Sequence, residues 1–199
     1  MRVIAGTARG RHLLAPPGEL TRPMMDRQKE SLFNILMQSF PCDGVLDVFA
    51  GSGGLGLEAL SRGAERATFV ERGRHALPVL ERNIAECGFK ERARVLAFDA
   101  WSVDPARIDH PVEVVFLDPP FPLVITTPKR VAELAARFLG LLPPTGVMVY
   151  RIPSSVAAET ALPAGANVLR HIDSGESLML LVRPCALPDH PLPSDDGNG

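Results

Sequence analysis

A glycine-rich turn between a predicted strand and a predicted helix restricts the possible folds of this chain more than any other feature. The apolar run at 45–48 leads into a turn at 49–54, and Leu and Ala then follow with helical spacing. Glycine has no Cβ, so it accepts positive φ angles and lets a ligand come close to the backbone. Gly51, Gly53 and Gly56 satisfy the pattern G-x-G-x-x-G, which a nicotinamide-dependent enzyme would also show. The segment therefore predicts a cofactor that contains a nucleoside, without fixing its identity.

Acidic residues end three successive predicted strands and narrow the choice of cofactor. Asp47 precedes the glycines, where a carboxylate would repel a pyrophosphate but could serve an ammonium group. Glu71 has the spacing of a residue that binds ribose hydroxyls, and Asp99 could accept a hydrogen bond from an adenine amine. Each alone is more often a cap or turn residue, but together they favour S-adenosylmethionine, which carries a sulfonium and an ammonium. The candidate cofactor-binding residues are Asp47, Phe49, Ala50, Gly51, Ser52, Gly53, Gly56, Glu71, Arg72, Asp99, Ala100 and Asp118.

The tetrapeptide Asp118-Pro119-Pro120-Phe121 follows an apolar run at 112–117 that predicts a buried strand. Two prolines end the strand and remove two backbone donors, so carbonyl acceptors remain. A carboxylate, a carbonyl and an aromatic ring suit a planar group with an amine, which indicates modification of a nucleobase amine at Asp118, Pro119 and Phe121. The tetrapeptide alone is equally compatible with a plain proline turn. The proposed chemistry would be excluded if the carboxylate lay far from the glycine-lined cavity or were buried against an arginine.

Strands and helices alternate along the middle of the chain. The predicted strands are 44–49, 66–71, 93–98, 112–117 and 146–152, the helices are 55–62, 73–87 and 127–140, and 101–109 stays unassigned. Such alternation implies an α/β fold with a parallel sheet and helices on both faces. Ligands then bind at the carboxyl ends of the strands, where both motifs lie. Segments 166–171 and 177–183 predict a closing antiparallel hairpin.

The first 40 residues predict a module of their own. Residues 2–5 and 11–15 have the pattern of two short strands joined by a glycine-bearing turn, a β-hairpin. From Asp26 the chain is predicted to be helical as far as Pro41, with an apolar stripe. That stripe consists of Leu32, Phe33, Leu36, Met37 and Phe40. The predicted division is 1–40 for the hairpin and helix, 41–183 for the sheet domain, and 184–199 for a flexible, proline-rich acidic tail.

Composition and charge argue against several classes of protein. The net charge of −2 argues against a strongly basic nucleic-acid binder, yet residues 1–25 carry four arginines against one glutamate. This local charge fits an RNA-contacting patch and solvated arginines equally well. The three cysteines and five histidines show neither metal-ligand nor disulfide spacing. No apolar run approaches the ~20 residues of a membrane span, and no signal peptide is visible. We expect a cytoplasmic protein without a metal or a membrane segment.

The order of short motifs along the chain resembles the RsmD family of bacterial 16S rRNA guanine-N2 methyltransferases. The motifs are Arg9-Gly10-Arg11, Arg22-Pro23, Asp26-Arg27, Glu30-Ser31-Leu32-Phe33-Asn34, Asp47–Gly53 and Asp118-Pro119-Pro120-Phe121. The resemblance covers residues 1 to about 183. The glycine loop and the proline motif are shared widely among amino-methyltransferases, whereas the segment from 22 to 34 is specific. Met24-Met25, where the family usually has two threonines, and Arg72, where a second acidic residue commonly stands, depart from the family pattern.

This resemblance implies an S-adenosylmethionine-dependent enzyme with the Rossmann-like class I methyltransferase fold, a mostly parallel seven-stranded sheet. It implies that Asp118 and the Pro119 carbonyl hold the amine while Phe121 stacks on the base. The residues that it implies for rRNA phosphates are Arg9, Arg11, Arg22 and Arg27. We expect Arg9 and Arg11 to contact RNA, and Arg22 or Arg27 to be partly structural. The implied partner is 16S rRNA, in the small ribosomal subunit or its assembly intermediate, and the implied state is a monomer.

Two other classes of function remain open. One is a different amino-methyltransferase that acts on DNA adenine or cytosine, or on a protein glutamine. The other is a non-catalytic nucleotide-binding module that takes part in RNA assembly and retains the pocket.

Overall fold

A computed structural model of the chain describes residues 1–17 and 26–185, which build one seven-stranded sheet flanked by helices. The strands are β1 (Cys42–Val48), β2 (Ala64–Val70), β3 (Ala93–Leu96), β4 (Val114–Leu117), β5 (Val147–Pro153), β6 (Ala166–Asp173) and β7 (Ser177–Pro184). The helices are α1 (Asp26–Ile35), α2 (Gly54–Ser61), α3 (Ala76–Glu86), α4 (Phe121–Thr126), α5 (Pro128–Leu139) and α6 (Ala158–Ala161). The strand order is β3-β2-β1-β4-β5-β7-β6. β1 to β5 run parallel, and β7 is antiparallel to both β5 and β6.

The predicted α/β alternation and the closing hairpin are confirmed. The prediction missed the short helices α4 and α6. α4 begins at Phe121, directly after the prolines that predicted a simple strand end. Prolines are tolerated in the first turn of a helix because the amides there have no intrahelical partner, so Pro122 in that turn does not prevent the helix. The unassigned segment 101–109 contains one 3₁₀ turn, at Pro105–Arg107.

Side chains from alternate positions of the strands enter two separate cores, one on each face of the sheet. Val45 and Phe116 pack with the hairpin, α1, α2 and α3. Leu46 and Leu117 pack on the opposite face with α4, α5 and α6. The helices therefore cover both faces, as the alternation predicts. In the described parts of the chain, no helix has the length and apolar character needed to span a bilayer.

The predicted N-terminal hairpin is present, but its arms are not regular strands. A single antiparallel bridge joins Arg2 to His12. The next amides along the first arm, those of Ile4 and Ala5, donate to the Glu58 carboxylate at 2.7 and 3.0 Å. Because a side chain 54 residues away takes these donors, they are not available to the opposite arm of the hairpin.

The helical stripe predicted after Asp26 is correct except at Met37. Leu32, Phe33 and Leu36 are buried, whereas Met37 is 68% exposed. α1 ends at Ile35, and residues 36–39 form a 3₁₀ turn with about three residues per turn. The tighter winding moves Met37 off the buried face.

One buried carboxylate, that of Glu58 on α2, anchors both the hairpin and α1. Besides the two hairpin amides, it pairs with Lys29 Nζ at 3.4 Å and with Arg62 Nε at 2.8 Å. Lys29 also donates to the Arg2 carbonyl at 2.6 Å. Asp26, at the start of α1, forms an exposed pair with Arg2 at 3.4 Å. A buried charge is costly unless it is paired, so this cluster fixes how the N-terminal segment sits.

We predict that Glu58→Gln lowers the free energy of unfolding by about 3–5 kcal/mol, because Lys29 would remain buried without a counter-charge. Urea denaturation followed by circular dichroism measures this change. Glu86→Gln is the matched control, since it removes an exposed pair with Arg82 at 2.8 Å, and such pairs contribute at most about 1 kcal/mol. Equal, small losses in both variants would contradict the anchoring role.

Candidate active site

A cavity of about 510 Å³ opens at the carboxyl ends of the parallel strands, where ligands bind in α/β sheets. Its volume is in the range of small-molecule and cofactor sites. The lining includes nine of the candidate cofactor-binding residues: Asp47, Phe49, Ala50, Gly51, Ser52, Glu71, Arg72, Ala100 and Asp118. Of the other candidates in the described part of the chain, Gly53, Gly56, Asp99, Pro119 and Phe121 lie outside the lining.

The turn after β1 is strained at the wall of this cavity. Phe49 has a φ of 63°, and Gly51 and Gly53 have φ angles of 54° and 81°. The left-handed region costs a residue with a side chain about 1–2 kcal/mol. The turn is held in place because the Ala50 amide donates to the Val70 carbonyl at 3.1 Å. Strain that the surroundings maintain is common at ligand-binding sites.

Gly53 and Gly56 serve close packing behind the cavity. A Cβ on Gly53 would lie 2.5 Å from Leu80 Cδ1, and a Cβ on Gly56 would lie 2.4 Å from the Phe69 ring. Both distances are too short, so these glycines let α2 approach α3 and β2. In the G-x-G-x-x-G pattern the third glycine commonly has this packing role.

Asp47 is a buried carboxylate that joins β1 to α2. Its Oδ2 accepts a hydrogen bond from the Gly56 amide at 2.8 Å. Burial raises the pKa of Asp47 to about 8, the Gly56 hydrogen bond opposes this, and the carboxylates of Asp118 and Glu71 raise it further. Ionising Asp47 in the free protein therefore costs free energy, mainly because the carboxylate is buried.

Glu71 and Asp99, the other acidic strand ends, are both held by protein donors. Glu71 accepts the Gly51 amide at 2.8 Å, and its second oxygen accepts the Arg72 amide at 2.8 Å. Asp99 pairs with Arg72 Nη1 at 2.5 Å and also accepts the Trp101 amide at 3.1 Å. Glu71 therefore braces the glycine turn from within the lining, whereas Asp99 lies just behind it.

Asp118 lies on the cavity wall and is ion-paired with an arginine that the sequence analysis did not identify. Its Oδ1 accepts a hydrogen bond from Arg151 Nε at 2.7 Å, and the two side chains are 21% and 9% exposed. The Arg151 guanidinium also lies 5.1 Å from the centre of the Phe121 ring. Burial raises the pKa of Asp118, and Arg151 opposes that rise.

Of the two observations that would exclude the Asp118 chemistry, a position far from the glycine-lined cavity is not found, whereas contact with a largely buried arginine is found. The carboxylate shares the cavity with the glycine turn, but it also contacts an arginine. A carboxylate can accept about four hydrogen bonds, so the Arg151 contact at Oδ1 leaves acceptor capacity toward the cavity. The ion pair thus orients the Asp118 carboxylate and leaves it able to accept further hydrogen bonds.

Among the wall residues that the sequence analysis did not identify are Met1, Lys29 and Arg151. Arg151 had a detectable signal, since it is a single charge within the apolar strand Val147–Pro153, and buried charges require partners. Its partner follows from the register. Leu117 pairs with Tyr150, so the next residues of the two parallel strands are neighbours.

Two of the arginines predicted to bind RNA lie on the hairpin, away from the cavity. The hairpin runs along α2, with Met1 beside Gly54 at the start of that helix. At the other end of α2, the Thr7 amide donates to the Ser61 carbonyl at 2.9 Å. Arg9 and Arg11 are exposed near this distant tip.

Arg27 lies closer to the cavity edge of the sheet. It is exposed in the first turn of α1 and lines a groove of about 320 Å³ together with Ser31 and Ser174. Ser174 belongs to the turn that follows β6, and β7 begins opposite the end of β5, which is the edge where the cavity opens. Arg22 lies outside the described residues, as do residues 186–199 of the predicted tail.

The sheet order, the antiparallel β7 and the position of the cavity define a Rossmann-like class I methyltransferase fold. Among solved structures, the Escherichia coli protein yhhF is similar, with a TM-score of 0.71 and 32% sequence identity over 92% of this chain and 97% of that chain. A family model described as "Conserved hypothetical protein 95" matches residues 1–183. The chain belongs to this family, the RsmD family.

Two curated relatives are named "Ribosomal RNA small subunit methyltransferase D". The protein from Haemophilus influenzae is 44% identical over 127 residues, and the protein from Escherichia coli K12 is 44% identical over 121 residues. Each match covers 61% of this chain, and 64% and 60% of the respective relatives. The matches thus span less than two thirds of these relatives' own length.

We predict that Asp47→Asn stabilises the ligand-free protein at about pH 8 and has little effect below about pH 4. The folded-state pKa of Asp47, about 8, lies above its ordinary value of 3.8, so the folded state binds more protons between these values. The free energy of unfolding therefore falls as pH rises through this window, and asparagine removes that loss. Thermal melting over a pH series measures it as a higher melting temperature for the variant at the alkaline end.

Asp43→Asn is the control, since Asp43 is exposed on the same strand. Its melting temperature should follow that of the unmodified protein at every pH. If the Asp47→Asn curve also ran parallel to that of the unmodified protein, the electrostatic cost assigned to Asp47 would be wrong.

Proposed function

We propose that the protein is an S-adenosylmethionine-dependent methyltransferase that modifies the exocyclic N2 amine of a guanine in small-subunit ribosomal RNA. One observation carries this proposal: the Asp118 carboxylate lines the same cavity as the strained glycine turn and Asp47. The relatives named as small-subunit rRNA methyltransferases support the substrate class.

The residues of the cavity fit S-adenosylmethionine, which supplies an already activated methyl group when it is bound. The wall carries the carboxylates of Asp47 and Glu71, which suit the sulfonium and ammonium charges of this molecule. Phe98 and Ala100 add apolar surface to the lining. Because Asp99 is already engaged by Arg72 and a backbone amide, we assign it to shaping this wall rather than to direct contact.

Asp118 and Pro119 would make the guanine amine a better nucleophile. The lone pair of this amine is delocalised into the ring, so it attacks poorly when free. If the Asp118 carboxylate and the Pro119 carbonyl accept its two N–H bonds, the lone pair localises and is aimed along one direction. Positioning of this kind accounts for large rate effects. The target base must leave its RNA stack to reach the cavity.

Phe121 has a place in this mechanism that differs from simple stacking. Its ring is covered on one side by the Arg151 guanidinium and lies outside the cavity lining. We propose that a guanine stacks on the part of this ring that Arg151 does not cover, and that it does so only after RNA binding.

Methyl transfer to small ribosomal subunits from cells that lack the protein tests this function. We expect one guanine to gain a methyl group at N2, mapped by nuclease digestion and mass spectrometry. Asp118→Ala should bind S-adenosylmethionine with nearly unchanged affinity in calorimetry and lose turnover by about 10²–10³-fold.

Each contrary outcome points to a different class of protein. Methylation of another base or of a protein amide would support a different amino-methyltransferase. S-adenosylmethionine binding without any transfer would support a non-catalytic module. Tighter binding of NAD than of S-adenosylmethionine would refute the cofactor assignment.

We further propose that Arg27 holds an RNA phosphate close to the cavity and that Arg9 and Arg11 hold phosphates farther along the RNA. The exposure of Arg27 on the cavity edge and of the other two at the hairpin tip supports this division. The hairpin runs along α2, which has eight residues and is about 12 Å long, so one RNA segment can reach from the cavity edge to the hairpin tip.

Salt-dependent RNA binding tests this division of contacts. Arg27→Gln should lower the slope of log affinity against log salt by about one, and the Arg9→Gln/Arg11→Gln double variant by about two. Arg94→Gln is the control, since Arg94 is exposed on β3 and pairs with Asp109 at 2.8 Å. Slopes equal to that of the control would refute the phosphate contacts.

A further inference from the structure

We propose that Arg151 is a positioning residue of the methyl-transfer reaction: it holds the Asp118 carboxylate in one orientation and in its charged, hydrogen-bond-accepting form. This inference rests on the proposed function, because it assigns a role within the same site. It goes beyond that function by identifying a residue on β5 that acts on the substrate through Asp118.

The geometry of the pair gives Arg151 little freedom. Its strand, β5, lies inside the sheet between β4 and β7, and its side chain is buried. The guanidinium contacts Asp118 Oδ1 at 2.7 Å and lies 5.1 Å from the Phe121 ring centre. A charge-assisted hydrogen bond and a cation–π contact thus act on one planar group, which fixes the direction of the carboxylate it holds.

The electrostatic surroundings explain why Asp118 needs this partner. Asp47 on β1 and Glu71 after β2 lie on the same cavity wall and are negative when ionised. Lys29 on α1 also lies there, but it is paired with Glu58. Burial raises the pKa of Asp118, and Arg151 opposes the rise. Without Arg151, more of Asp118 would be protonated near neutral pH, and one of its oxygens would donate rather than accept.

The protein contains a second arginine–carboxylate pair that provides a matched control. Arg62 Nε contacts the Glu58 carboxylate at 2.8 Å, and its guanidinium lies 5.0 Å from the centre of the Phe33 ring. This pair has the same construction as the Arg151 pair but lies outside the cavity lining. Loss of Arg62 therefore removes a pair of the same kind while the contact between Asp118 and Arg151 stays in place, and Glu58 keeps Lys29 and the two hairpin amides.

The test compares Arg151→Met, Arg151→Lys and Arg62→Met in the full-length protein. The rate of methyl transfer to small subunits is measured against pH at saturating S-adenosylmethionine. Calorimetry gives the affinity for S-adenosylmethionine. Titration of the Asp118 carboxyl carbon by ¹³C NMR, identified by comparison with Asp118→Asn, gives a measurement that does not depend on activity.

We expect the acid limb of the rate profile of Arg151→Met to move to higher pH. Its loss of rate should be about tenfold larger at about pH 6 than at about pH 8.5. The Asp118 carboxyl should titrate at higher pH in the same variant, while affinity for S-adenosylmethionine stays within several-fold. Arg151→Lys should lie between, because it keeps the charge but loses the planar donor. Arg62→Met should lower the melting temperature without moving the acid limb.

A loss of rate by the same factor at every pH would overturn the inference, as would an Asp118 titration unchanged in Arg151→Lys and Arg151→Met. If Arg151→Met does not fold, the Arg151→Lys titration decides the question alone. A wild-type protein that methylates no RNA would refute the proposed function, whereas the NMR titration would still report whether Arg151 controls the charge of Asp118.

Discussion

The buried Glu58 carboxylate is the interaction on which the shape of the cavity depends. It binds donors from two segments that are distant in sequence, the hairpin amides and Lys29 on α1, and from Arg62 directly after α2. A fully buried anion requires all these partners, so the two segments and α2 pack as one body. As a result the hairpin brings Met1, and α1 brings Lys29, to the wall of the cavity. The N-terminal segment therefore shapes the site directly, whatever further contacts it makes with RNA.

The carboxylates that line the cavity show how charge and ligand binding are coupled. Asp47, Glu71 and Asp118 line one cavity; burial is the main cause of the raised pKa of Asp47, and the nearby carboxylates of Asp118 and Glu71 add to it. Such a cluster destabilises the ligand-free protein, because like charges repel strongly where water is scarce. A cationic ligand removes this repulsion when it binds. Part of the affinity for a sulfonium cofactor would then come from relief of the electrostatic repulsion that is present in the folded, ligand-free protein.

Local patterns predicted the elements, and non-local pairing decided the site. The strand–turn–helix at 45–60 and the β6–β7 hairpin depend on residues close in sequence, and both were predicted correctly. The irregular hairpin arms and the Asp118–Arg151 pair depend on partners more than 30 residues apart. A single sequence does not show which of such distant residues come into contact. The glycine pattern has a different limit. Ligand approach at Gly51 and helix packing at Gly53 both require the absence of a Cβ, so the pattern does not distinguish them.

The contact between Asp118 and Arg151 occupies a middle position between two states that would both prevent the proposed chemistry. Without an arginine, a buried carboxylate beside Asp47 would tend to hold a proton and would accept hydrogen bonds poorly. An arginine that bound both carboxylate oxygens would leave fewer acceptor positions for an amine. Here Nε contacts Oδ1, and the Phe121 ring lies against the guanidinium. The carboxylate can thus stay charged and oriented while it still faces the cavity. The ion pair therefore belongs to the site and does not serve stability alone.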